Sequence, residues 1–175
     1  MAFILPKTLN SIFNTPFTPS LGPERRADIL PIDILNNELE TAIPQSGFNG
    51  ENAHLVRSAA LLWHDHLYES HKVSQGIKSM DGSFVHGIMH RREPDYSNAK
   101  YWFNRVGSHP VFPEISNRAK NILTGSSLAH LAEGDWDSFA MVDAVAAASD
   151  GSEEYSLLQQ VQQMEFEVLL EQFCG

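Results

Sequence analysis

The chain has almost no sulfur chemistry available to it, because its 175 residues include a single cysteine, Cys174. One thiol excludes an internal disulfide and a cysteine-based metal cluster. No stretch approaches the roughly 18 consecutive apolar residues of a membrane span. The opening apolar residues are interrupted by Pro6, and no basic region precedes them as in a secretory signal. We therefore expect a cytoplasmic protein that does not enter a membrane.

Basic residues are missing from the last third of the chain. Residues 1–120 contain all 12 Lys and Arg beside 12 Asp and Glu, whereas residues 121–175 contain 10 acidic residues and no basic one. The formal net charge is −10. A nucleic-acid surface needs clustered basic side chains that neutralise phosphates. The charge distribution therefore predicts that neither nucleic acid nor an anionic membrane is a partner.

Several common catalytic motifs are also missing. The sequence has no GxGxxG, no GxxxxGK[ST], no GxSxG and no CxxC, so dinucleotide, P-loop, hydrolase-triad and thiol-redox chemistry have no support. We find no alternating strand pattern and no internal repeat. Hydrophobic residues make up 42% of the chain and charged residues 19%, which is typical of one globular domain of this length.

Apolar residues recur at helical spacing in two long segments, from Asn52 to about Gln75 and from Glu153 to Phe173. Shorter helical patterns lie between them, and one of these follows Pro94, with Asp95 as a candidate N-cap and Gly107 as a candidate C-cap. We therefore predict an all-α fold, an irregular bundle of about five to seven helices in a single domain, residues 1–175. Residues 1–50 carry six of the nine prolines and predict an extended arm with short helical turns, packed on a helical core of residues 51–175. Such an arm can exchange between subunits, so a homodimer is a further prediction.

Histidines are concentrated in the middle of the chain, where five of the eight lie between His64 and His90. His86 and His90 are four residues apart, so on a helix they share one face and can bind a common metal ion. The long helix would supply the third ligand, with Glu69 and His71 as candidates beside His66. Helical geometry places His66 inside the apolar face of that helix and points His64, Asp65 and Tyr68 away from it. We predict a possible divalent metal ion on His66, His86 and His90.

A metal-free alternative uses the same residues as general acids and bases, since imidazole titrates near pH 6.5. Nearby carboxylate and phenol groups extend this set. The catalytic candidates are His66, Glu69, His86, His90, Asp95 and Tyr101.

A group of cations and polar side chains follows the histidines. Any guanidinium left unpaired in a concave site would attract a carboxylate or phosphate. The alternative is internal pairing, as in an Arg91 to Glu93 or an Arg92 to Asp95 clamp. The candidate substrate-binding residues are Trp63, Arg91, Asn98, Lys100 and Arg105.

The segments WHDHLYESHKVSQGI (63–77) and GSFVHGIMHRREPDYSNAKYWFNRVGSHPVF (82–112) carry a resemblance. They resemble a family of small bacterial and fungal proteins that share an IMHRRE, SNAKYWF and HPVF core. The match covers about Leu62 to Phe112. This family has no established activity, so the resemblance implies no catalytic role for any residue.

These patterns support two hypotheses. The first is a small helical enzyme that acts on a polar or anionic small molecule by histidine-centred acid-base or metal-assisted chemistry, as an isomerase, lyase, cyclase or hydrolase. The second is a non-catalytic ligand-binding or scaffold protein, in which the His, Arg and Asp residues form a structural polar network.

Overall fold

A computed structural model describes residues 5–174, and this part of the chain contains α-helices, one 3-10 helix and no strand. The all-α prediction is confirmed, but the nine α-helices within this described part exceed the predicted five to seven. The helices are α1 (Lys7–Phe13), α2 (Ile32–Gln45), α3 (Gly50–Trp63), α4 (Leu67–Ser74), α5 (Met80–Arg92), α6 (Tyr96–Val106), α7 (Phe112–Leu123), the 3-10 helix (Ala129–Ala132), α8 (Ser138–Ala147) and α9 (Glu153–Cys174).

The predicted long helix from Asn52 to Gln75 is two helices, α3 and α4, separated by a tight turn. Asp65 in this turn has a φ of 60°, a left-handed conformation that aspartate tolerates better than most residues. The break changes which side chains face inward. His64 and Asp65, which a continuous helix would point outward, are buried, so that part of the prediction is wrong.

The turn between α3 and α4 binds the N-terminal segment to the rest of the fold. His64 Nδ1 accepts a hydrogen bond from the backbone N–H of Leu30 at 3.0 Å, and its Nε2 therefore donates to the Ile12 carbonyl at 2.8 Å. His66 Nε2 lies 2.8 Å from the Leu30 carbonyl. Burial is the main cause that lowers the pKa of His64, which keeps the ring neutral and its Nδ1 able to accept.

Asp65 joins the same turn to two arginines. It accepts hydrogen bonds from the Arg26 backbone at 2.9 Å and from Arg92 at 2.8 Å. Arg92 also donates to the carbonyls of Leu62 and Gly22. Burial by itself would raise the pKa of Asp65, but the Arg26 N–H and the Arg92 guanidinium outweigh it and hold that pKa below its usual value. Asp65 is therefore a buried, ionised crosslink.

Residues 14–31 lie between α1 and α2, in the proline-rich segment. Helix α2 also falls within residues 1–50 and has 14 residues. The prolines permit this length because Pro31 precedes the first turn and Pro44 lies in the last one. A proline in either place removes few of the helix's own hydrogen bonds.

Helix α5 is the centre of the fold and packs against α3, α4 and α6. All of its residues from Gly82 to Arg92 are buried. A Cβ atom at Gly87 would lie 2.8 Å from the Phe103 ring, so glycine is needed for α6 to approach this closely. Helix α5 begins with Ser79 as its N-cap, whose hydroxyl accepts from the Gly82 N–H at 3.2 Å.

Helix α6 has the ends that its sequence predicts. The Asp95 carboxylate accepts from the Asn98 N–H at 3.2 Å, and Gly107 follows the last turn with a φ of 62°. Helix α9 is the longest and packs against α3, α7 and α8. Among the helices of residues 5–174, none combines the length and apolarity of a membrane span.

Candidate metal site

Three histidines from two helices meet beside the centre of the fold. His71 lies in the last turn of α4, and His86 and His90 lie one turn apart in α5. One ring nitrogen from each residue can be chosen so that all three lie within 4.8 Å of one another. The Nε2 atoms of His86 and His90 are 3.0 Å apart. This group could hold a metal ion.

Aromatic contacts fix the orientation of these rings. The His86 and His90 rings are stacked with centres 4.8 Å apart, and the His71 ring stands edge-on to both at 4.8 and 5.3 Å. Trp102 from α6 stacks on His86 with ring centres 3.8 Å apart. The guanidinium of Arg105 lies 5.3 Å from the centre of the Trp102 ring. His86 therefore has little rotational freedom.

Hydrogen bonds define one proton arrangement for the pair in α5. Glu93 Oε2 lies 3.1 Å from His90 Nδ1, and a carboxylate there keeps the proton on Nδ1. His90 Nε2 is then an acceptor, so His86 Nε2 donates to it. The remaining nitrogen, His86 Nδ1, is buried and has no hydrogen-bond partner within the described part of the chain. Carboxylate-oriented histidines of the His90 type are common in metal sites.

The environment keeps the two histidines of α5 neutral. Burial, followed by the neighbouring His90 and His71, lowers the pKa of His86 to about 3. Burial also lowers the pKa of His90, although Glu93 opposes the effect. Neutral imidazole is the form that binds a metal ion. At neutral pH these two rings are already neutral imidazoles, so no imidazolium proton has to be removed before a metal ion binds.

The separation of the two ring nitrogens in α5 suits a transition-metal ion. Two nitrogens bound at about 2.0–2.1 Å to one zinc ion at ordinary angles are about 3 Å apart, as His86 and His90 are. His86 and His90 are buried, whereas His71 is only partly buried. Three protein ligands would leave a coordination position for water or substrate. The partly buried side chains of His71 and Asn98 mark the side from which a small molecule would approach.

His66 does not belong to this group, and its place is taken by His71, another of the three candidates for the third ligand. The reason is the helix break at Asp65, which makes His66 the residue just before α4. Its Nε2 is engaged by the Leu30 carbonyl. Five residues after His66, within α4, His71 faces α5.

Two of the predicted substrate-binding residues belong to the core. Arg91 is fully buried, and its Nη2 lies 2.5 Å from Glu165 Oε2 in α9. This pairing replaces the expected clamp with Glu93. Trp63 is buried between Phe13 and Phe166, and its N–H donates to Thr15 Oγ1 at 3.0 Å. Neither side chain is available to a ligand at the histidines.

Asn98 is the predicted substrate-binding residue that lies at the group. Its Nδ2 atom is 3.3 Å from His90 Nδ1 and 3.1 Å from His90 Nε2. Lys100 pairs instead with Asp143 at 2.6 Å on the surface, and Arg105 is separated from His86 by Trp102.

The remaining catalytic candidates lie around the site rather than in the group. Asp95 caps α6 and is exposed. Tyr101 is exposed and contacts the edge of Trp102. Glu69 lies in the first turn of α4, and within residues 5–174 its buried Oε2 has no hydrogen-bond partner.

Trp102 and Glu93 were not among the predicted site residues. No spacing rule assigns Trp102, because it contacts a histidine of another helix. The i, i+3 separation of His90 and Glu93 is the one signal that a sequence offers.

Comparison with protein-family models, curated proteins and solved structures finds no match. The family resemblance therefore stays a prediction, and function is argued from geometry.

Proposed function

We propose that the protein is a metal-dependent enzyme for polar or anionic small molecules, with His71, His86 and His90 as ligands of one divalent transition-metal ion. The observation that carries this proposal is the convergence of three ring nitrogens within 4.8 Å. Imidazole nitrogens are common ligands of zinc, copper, iron and nickel. Calcium and magnesium prefer oxygen ligands, so three histidines would bind them poorly. Zinc is the first ion to test.

The same observations argue against histidine acid-base chemistry as the main mechanism. An acid-base catalyst works best with a pKa near the working pH. The pKa of His86 is lowered to about 3 by burial and by the adjacent histidines, so this ring stays unprotonated through the neutral range. His86 is therefore better suited to the role of a neutral metal ligand than to that of a proton donor.

Metal binding would have one cost within the protein. The His86 proton now shared between the two Nε2 atoms would move to Nδ1, a buried atom with no partner in residues 5–174. A buried unpaired donor costs about 1–3 kcal/mol. Apparent metal-binding free energies of roughly 10–16 kcal/mol at structural zinc sites exceed this cost.

A bound ion of this kind supplies Lewis-acid polarisation of a substrate oxygen or a water of lowered pKa. The protein would supply the rest from residues near the open side. Asn98 is placed to donate a hydrogen bond to a substrate oxygen, and Glu93 holds the His90 ring. We therefore place hydrolases and lyases first among the possible reaction classes.

The metal proposal is tested by calorimetric titration of chelator-treated protein with Zn²⁺ and by the visible spectrum with Co²⁺. We expect one ion per chain and a spectrum of low coordination number. His71→Ala is the main variant because His71 is only partly buried, and it should weaken binding at least tenfold. His54→Ala, in an exposed position of α3, is the matched control. Equal affinity of His71→Ala and His54→Ala would contradict the proposal.

The enzymatic part is tested separately on the zinc-loaded protein with p-nitrophenyl acetate and p-nitrophenyl phosphate. Turnover should fall in His71→Ala and persist in His54→Ala. Tight zinc binding without any turnover difference between these two variants would leave a metal protein and end the hydrolase assignment.

The second hypothesis, a structural polar network, is favoured by one observation. Arg91 and Arg92 are fully buried in ion pairs with Glu165 and Asp65. These two arginines are thus used by the fold. If the histidines also serve only the fold, His71→Ala would lower the melting temperature of metal-free protein without any effect of added zinc on either form.

A further inference from the structure

A cavity that is separate from the histidines lies where α6, α7 and α8 meet. Its volume is about 400 Å³, within the usual range of small-molecule sites. The lining residues are Phe103, Asn104, Gly107, Phe112, Asp135, Trp136, Asp137, Ser138 and Phe139. Four of these nine side chains are aromatic, so part of the wall suits a flat ring.

Two buried polar groups of the lining have no hydrogen-bond partner in the described structure. They are the Trp136 indole N–H and the Ser138 hydroxyl. Trp136 is 4% exposed and Ser138 is 6% exposed. Unpaired buried donors are rare because each one costs stability. Both belong to residues that line this cavity.

The exposed carboxylates at the cavity favour a cation, because the nearby Lys100 ammonium, 5.8 Å from the centre of the Phe139 ring, is already paired with Asp143. Asp135 and Asp137 are exposed at the cavity and form no ion pair within residues 5–174. Asp137 accepts from the N–H groups of Phe139 and Ala140, so it offsets the positive end of α8. Asp135 remains without such a partner. The C-terminal end of α6 at Gly107 adds partial negative charge.

We propose that this cavity binds an arylalkylamine, a small molecule with a protonated amine, an aromatic ring and an oxygen at the opposite end. The ring would pack among Phe103, Phe112 and Phe139. The oxygen would accept from the Trp136 N–H at the buried end, and the ammonium would face Asp135 at the exposed end. This site is independent of the proposed metal ion.

Tyramine is the probe, and binding is measured by isothermal calorimetry on the full chain. Two analogues separate the contributions, because phenethylamine lacks the oxygen and 4-ethylphenol lacks the amine. Tyramine should bind at least fivefold more tightly than either analogue. Binding no tighter than that of both analogues would overturn the proposal.

Substitutions assign each end of the ligand. Trp136→Phe should weaken tyramine and 4-ethylphenol more than phenethylamine, because it removes the N–H that would bind the oxygen together with part of the ring wall. Asp135→Asn should weaken tyramine and phenethylamine but not 4-ethylphenol. Asp150→Asn, exposed and outside the lining, is the charge control and should change none of them.

Discussion

Replacement of Glu165 by glutamine tests whether Arg91 belongs to the fold or to a ligand site. Arg91 Nη2 lies 2.5 Å and Nη1 3.3 Å from the two carboxylate oxygens of Glu165. Both side chains are fully inaccessible to solvent. Glutamine keeps the shape and one acceptor oxygen but removes the negative charge. Because a guanidinium does not lose its proton in a protein, Arg91 would remain a buried, unpaired cation.

The expected loss is large for a single substitution. Breaking a buried ion pair by removing one partner costs about 3–5 kcal/mol. For a chain of this size each 1 kcal/mol corresponds to roughly 2–4 °C in melting temperature. Glu165→Gln should therefore lower the melting temperature by about 6–20 °C in scanning calorimetry. Arg91→Met combined with Glu165→Leu should recover most of this loss, since an apolar pair leaves no buried charge.

The surface pair of Lys100 and Asp143 is the matched control. Lys100 Nζ lies 2.6 Å from Asp143, but the carboxylate is 67% exposed, so Lys100→Met should cost no more than about 1 kcal/mol. If Glu165→Gln were as mild as Lys100→Met, the buried pair would not contribute to the fold as described. Arg91 would then return as a candidate for ligand binding.

Two further predictions concern the histidines. Glu93→Gln should reduce zinc affinity about 10–100-fold, because the carboxylate that orients His90 is lost; zinc titration measures this, and unchanged affinity would contradict it. The pKa of buried His64 is lowered from 6.5, so the unfolded chain takes up a proton first as pH falls below 6.5. Its contribution is therefore complete above pH 6.5 and decreases below it. In urea unfolding, metal-free His64→Gln should lose less stability than wild type between pH 7.5 and 5.5; parallel losses would refute this role.

Local sequence patterns predicted the features that depend on neighbouring residues. Asp95 and Gly107 mark the ends of α6, and the apolar spacing marks α9 nearly to the residue. The shared face of His86 and His90 follows from their four-residue separation alone. These predictions succeed because a helix cap or an i, i+4 pair is decided within about one turn.

The break between α3 and α4 shows where such reasoning ends. No glycine or proline interrupts residues 52–75, and the apolar spacing continues across Asp65. The left-handed backbone of Asp65 is instead compensated by distant contacts, with Arg26 and Arg92. A change at one residue rotates all that follow, which is why His71, and not His66, meets the histidines of α5.

By itself the sequence determined the all-helical class, the ends of several helices and the two histidines on one helical face, because hydrogen bonds and side-chain spacing within a helix are local. Only the tertiary structure decided the third histidine, the stacking of Trp102 on His86 and the pairing of Arg91 with Glu165. Each of these contacts joins different helices. Their partners depend on how buried charges and rings are satisfied in three dimensions, which no spacing along the chain encodes.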